Sequence, residues 1–94
     1  IIHSGVDFLH NKIILIDTIS SLPKIKVRTN GYALGNTLKG NFKLYDQTKV
    51  KLFVEEGISP YIHIKTDATD LYLNFKDPVA TSDLYKKIKT RLNN

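Results

Sequence analysis

From Lys24 to Phe75 the chain repeatedly alternates apolar and polar residues with a period of two. Lys49-Val50-Lys51-Leu52-Phe53-Val54 is the plainest case. Successive side chains on a strand point to opposite faces, so Val50, Leu52 and Val54 share one face and Lys49 and Lys51 take the other. Asn41 to Tyr45 alternates in the same way, with Phe42 and Leu44 inward, and Asp46-Gln47-Thr48 supplies the turn of a hairpin. Tyr61 to Thr66 and Leu71 to Phe75 form a second hairpin, with Ile62 and Ile64, then Leu71, Leu73 and Phe75, on its apolar faces. Upstream, Val6 to Leu9 and Ile13 to Ile19 are β-branched and apolar, with a tight turn expected at Asn11-Lys12. Pro23 breaks the pattern, because it removes a ladder donor. Lys24 to Arg28 then alternates, predicting Ile25 and Val27 in the core. Asn30 to Gly40 holds Gly31, Gly35 and Gly40 and reads as a loop or irregular strand entry.

The period changes after Asp77. Asp77 suits a helix N-cap and Pro78 the first turn. Leu84, Ile88 and Leu92 then recur at four-residue spacing beside Tyr85, which is one apolar stripe of a helix. The expected fold is mainly β with one C-terminal helix over 78–92, which closes a bent antiparallel barrel or sandwich. A chain of 94 residues buries one core, so 1–94 reads as a single domain. It contains no methionine and begins at Ile1, which reads as a fragment, a processed chain or a trimmed piece of a longer protein, with a signal peptide or a membrane anchor among the options for what precedes it.

Charge is concentrated in the middle. Lys24, Lys26, Arg28, Lys39, Lys43, Lys49 and Lys51 face only Asp46 between residues 24 and 51, whereas residues 52–94 are neutral. On a regular strand Lys24, Lys26 and Arg28 would form a row on one face at about 7 Å spacing, joined by Lys43, Lys49 and Lys51. Such a row suits an anionic surface; it equally suits a solvated sheet face or a lysine-protected edge.

Other chemistry finds little footing. The chain has no cysteine, which removes disulfides, thiolate metal sites and cysteine nucleophiles. Gly35 to Gly40 has the spacing of half a phosphate-binding loop, but Asn41-Phe42 stands where Lys-Ser/Thr belongs. His3, His10 and His63 show no metal-ligand spacing, and His63 reads as a surface residue. Glu55 and Glu56 are adjacent and point to opposite strand faces. No catalytic constellation, cofactor or metal is expected. Tyr32, Tyr45, Phe53, Tyr61 and Tyr72 fall on outward or loop positions, and a second small core beneath the helix is expected to bury several of them.

Three stretches carry a resemblance. They are Arg28 to Gly35 followed by Leu38 to Leu44, Pro60 to Thr66, and Asn74 to Thr81 with Leu84-Tyr85. Together they resemble the pleckstrin-homology-like domains of small, mostly uncharacterised bacterial membrane proteins, over about residues 5–92. One departure is Gln47, where a glycine is usual. The resemblance implies a bent barrel of roughly seven strands closed by a helix. It also implies a non-catalytic binding or assembly module that is membrane-associated, with the domain on the cytoplasmic side. Its partner would be an anionic membrane surface or another protein. A nucleic-acid-binding barrel and a self-associating structural domain are the alternatives.

Overall fold

A computed structural model describes residues 13–92. The expected strand at Val6 to Leu9 and the turn at Asn11-Lys12 lie outside the described residues. Six strands precede one helix: β1 (Ile13–Ile19), β2 (Ile25–Leu34), β3 (Thr37–Leu44), β4 (Lys49–Glu55), β5 (Tyr61–Thr66), β6 (Asp70–Leu73) and α1 (Pro78–Leu92). The fold is thus a mainly β sheet with a C-terminal helix. The helix begins where the cap residue requires, with the Asp77 Oδ1 accepting from the Val79 amide at 2.9 Å. Lys89 and Arg91 occupy its last turn, the favourable end for cations.

The strands form one sheet in the order β1-β5-β6-β4-β3-β2. All pairs are antiparallel except β4–β6, where Lys51, Leu52 and Phe53 run parallel to Leu71, Tyr72 and Leu73. The short β6 is inserted between β4 and β5, so the hairpin β5–β6 docks onto β4 by its second strand. Asn74 secures that docking. Its Oδ1 accepts from the Glu55 amide (2.7 Å), and its Nδ2 donates to the carbonyls of Glu55 (3.0 Å) and Ile58 (2.6 Å).

Strand order also decides the shape. β1 and β2 are at opposite edges, yet only Ser20 to Lys24 join them. In a flat sheet five gaps of about 4.8 Å would hold these edges about 24 Å apart. The six Cα steps from Ile19 to Ile25 reach at most about 20–22 Å, and Ile19 also lies at the other end of the sheet from Ile25. The sheet must therefore fold over, giving one leaf of β2, β3 and β4 and another of β1, β5 and β6.

Two cores follow. Between the leaves lie Leu38, Phe42, Leu44, Val50, Leu52, Val54, Tyr61 and Tyr72, with Ile19, Leu22 and Ile25 packed against them. On the outer side of the second leaf, Ile62 and Ile64 pack with Ile88 of the helix, flanked by Ile16, Leu73, Leu84 and Tyr85. β5 is thus covered on both faces. The helix packs on β1 and β5, and among the described residues the outer face of the first leaf carries no such cover.

Four local expectations are corrected. Asn30 to Leu34 continues β2 and Thr37 opens β3, so of the two readings of the glycine segment the loop falls and the irregular strand stands, as a hairpin. Val27 is exposed, because register shifts between Ile25 and Val27 and between Arg28 and Asn30 break the alternation of β2. Phe75 is also exposed, since the strand ends at Leu73. Of the five aromatics, Tyr61 and Tyr72 are buried, but in the core between the leaves rather than under the helix; Tyr32, Tyr45 and Phe53 remain exposed.

Candidate functional site

The outer face of the first leaf is where the basic residues gather. Residues paired in register share a face. Lys43 is paired with Lys49, Asn41 with Lys51, and Lys39 with Phe53. β2 extends these rows with Val27 beside Lys43, Asn30 beside Asn41 and Tyr32 beside Lys39. Lys39, Asn41 and Lys43 succeed one another along β3 at about 7 Å, and neighbouring strands stand about 4.8 Å apart. The result is a platform of four lysines and two amides with Tyr32, Phe53 and Val27 among them. Each of those three is close to half exposed.

The electrostatics are one-sided. Among the described residues the only ion pair is His63–Asp70, so none of the four lysines is neutralised by a carboxylate there. The Lys51 Nζ donates to the Asn41 Oδ1 at 3.1 Å, which positions the ammonium without reducing its charge. Lys43 and Lys49 sit directly opposite each other, an arrangement that like-charge repulsion disfavours. Of the strand-borne acids, Asp70 at the start of β6 shares a concavity with Asn41, Lys49 and Lys51 and is engaged by His63, while Glu55 accepts from the Thr37 hydroxyl at 2.8 Å.

The six basic residues singled out from sequence divide. Lys43, Lys49 and Lys51 come together on the platform. Lys24, Lys26 and Arg28 do not form the expected single row. Lys24 precedes β2, and the other two follow the edge strand through its register shifts: Arg28 is opposite Phe42, Val27 is opposite Lys43, and Lys26 falls within the first shift. Lysines and irregular register on an edge hinder unwanted strand pairing. Lys39 counts in the central charge and Tyr32 among the outward aromatics, but sequence reasoning places neither on this face, because a loop or irregular strand entry gives the glycine segment no defined register. The signal was the alternation Lys39, Asn41, Lys43, which continues through Gly40.

A second polar group is at the inner face of the other leaf. His63 is not a surface residue: its side chain is 16% exposed and its Nε2 lies 2.5 Å from the Asp70 Oδ1. The ring stacks on Tyr72, with centroids 4.2 Å apart and planes 1° from parallel. Burial pushes the Tyr72 hydroxyl up to about 12, with smaller contributions from the charges of Asp70 and Asp46. A neutral phenol held this way stabilises packing. Among the described residues no three His, Asp or Glu side chains gather as a metal site.

The mouth between the leaves is a third concavity, lined by Ser20, Ser21, Lys24, Tyr45, Glu56 and Tyr61 among others. Its one lysine, Lys24, shares the lining with Glu56 without an ion pair between them. No family model, curated protein or solved structure matches the chain.

Proposed function

We propose that this chain is a non-catalytic binding module that engages an anionic membrane surface through the outer face of β3 and β4. The observation that carries the reading is the Lys43–Lys49 pair, flanked by Lys51 and Lys39, with no carboxylate among the described residues within 4 Å of any of the four ammonium groups. A sheet that places like charges in direct opposition gains most from an anion laid across them. Lysines near an anionic leaflet contribute about 1 kcal/mol each. Four of them supply roughly 4 kcal/mol, about a thousandfold in partitioning. Exposed Tyr32 and Val27 beside the ammonium groups suit the headgroup region, where amphipathic and aromatic side chains are favoured.

The folded-over sheet and its terminal helix are compatible with the resemblance to bacterial pleckstrin-homology-like domains, and that resemblance supports membrane association. The test is co-sedimentation with vesicles of phosphatidylglycerol and phosphatidylcholine against phosphatidylcholine alone. Binding is expected to the anionic vesicles only, to weaken with salt, and to fall by at least about a hundredfold in Lys43→Glu plus Lys49→Glu. Lys26→Glu plus Arg28→Glu is expected to matter less. Equal failure on both vesicle types removes the reading. A labelled oligonucleotide in the same assay, binding with a steep salt dependence while vesicles do not, replaces it with nucleic acid.

A further inference from the structure

Where β6 ends and peels away from β4, a cleft of about 460 Å³ opens at the border of the lysine platform. Phe53 and Phe75 line it with Leu73, and Lys39 and Lys76 are also in its wall. Both phenylalanine rings are close to half exposed, at 46% and 44%. Phe53 belongs to the platform itself, being paired with Lys39 on β3 and with Leu73 on β6. The cleft is therefore continuous with the basic face rather than separate from it. Glu55, the one carboxylate in its lining, accepts from the Thr37 hydroxyl and keeps its charge, so with Lys39 and Lys76 the two apolar rings stand in a net positive surround.

We infer that this cleft is the point at which the domain enters the bilayer interface, with Phe53 and Phe75 inserted beside an anionic phospholipid and Lys39 and Lys76 on its phosphate. The inference rests on the membrane reading above and adds depth and orientation to it. Phenyl rings gain by leaving water for the acyl boundary. Lysine stems lie along apolar surface while their ammonium groups reach the headgroups. An apolar pair with Lys39 and Lys76 beside it matches both layers of an anionic leaflet, whereas a neutral apolar partner would leave the net positive charge of the cleft unanswered. The Asn74 clamp on Glu55 and Ile58 fixes the cleft wall, so insertion requires no rearrangement of the sheet.

The chain contains no tryptophan, so single substitutions report on depth without background. Phe53→Trp, Phe75→Trp and, on the helix-covered leaf, the exposed Ile14→Trp are each mixed with phosphatidylglycerol vesicles. Circular dichroism verifies the fold of each. Brominated acyl chains are expected to quench the indole emission of Phe53→Trp and of Phe75→Trp, with a blue shift, and to leave the Ile14→Trp signal unchanged. Phe53→Ala plus Phe75→Ala is expected to weaken partitioning by roughly tenfold or more. Vesicle binding that persists with neither cleft reporter quenched overturns the inference and leaves the lysine reading standing. Absence of binding to anionic vesicles by the unsubstituted chain overturns both.

Discussion

Gly31 and Gly40 face each other across β2 and β3 at a distance no side chain could share. A Cβ on Gly40 would lie 2.5 Å from the Gly31 Cα and 2.6 Å from the Asn30 carbonyl oxygen, and one on Gly31 would strike the Lys39 carbonyl oxygen. Gly40 also has φ +113°, outside the range open to other residues. Close approach at this point lets the first leaf curve over its core. Gly40→Ala is expected to lower stability by on the order of 2–4 kcal/mol in urea denaturation. Gly35→Ala, with φ +58° and open space around it, should cost only about 1–2 kcal/mol. Equal costs would count against the close crossing as the reason for these glycines.

Gln47 is the one described non-glycine residue with positive φ, at 74°. It occupies the turn position where glycine is usual, and Asp46 fixes the turn by accepting from the Thr48 amide at 2.9 Å. Gln47→Gly removes the Cβ strain of the left-handed conformation while admitting some extra freedom to the unfolded chain. A net gain of about 0.5–1 kcal/mol is expected, read as a raised thermal midpoint.

Asn74 satisfies three backbone groups at the junction of β4 and β6. Asn74→Ala strands the Glu55 amide and the carbonyls of Glu55 and Ile58 in a partly buried site. The expected loss is about 2–4 kcal/mol. Asn74→Asp keeps an acceptor for the Glu55 amide but turns two donated bonds into repulsion with carbonyls, so it should recover little. A hydrogen-exchange experiment is expected to show the β6 amides losing protection first.

Tyr72 titrates late. Its folded value of about 12 lies above the ordinary 10.0, so folding favours the neutral phenol. That contribution is fully present below pH 10 and is lost as pH rises from about 10 through about 12. Ultraviolet titration is expected to show one tyrosinate forming only near pH 12, above the ordinary tyrosine value of 10.0. Tyr72→Phe should abolish the late step and flatten the alkaline loss of stability. A single tyrosine transition near 10 would contradict the burial of this hydroxyl.

Much of the architecture was legible because it is local. Alternation marked β3, β4 and β5 and assigned Phe42, Leu44, Val50, Leu52 and Val54 to the core. The four-residue stripe and the Asp77 cap marked the helix over 78–92. Half of the basic set was legible for the same reason: Lys43, Lys49 and Lys51 alternate with buried neighbours, and alternation survives wherever pairing stays in register. Lys24 was misplaced because β2 begins only at Ile25, and Lys26 and Arg28 because β2 changes register twice, and a register shift depends on the partner strand.

Only the tertiary structure decided which strands are neighbours. Nothing in Asp70 to Leu73 distinguishes a strand that ends a hairpin from one that slips between β4 and β5 in parallel. That insertion, with a connection too short to span a flat sheet, folds the two leaves together and sends Tyr61 and Tyr72 inward. Among the described residues it also leaves the lysine face without a covering helix, and it sets Phe53 and Phe75 in the wall of one cleft. Periodicity is a property of near neighbours along the chain, whereas strand order is set by contacts between residues far apart in sequence, which no short window of sequence encodes.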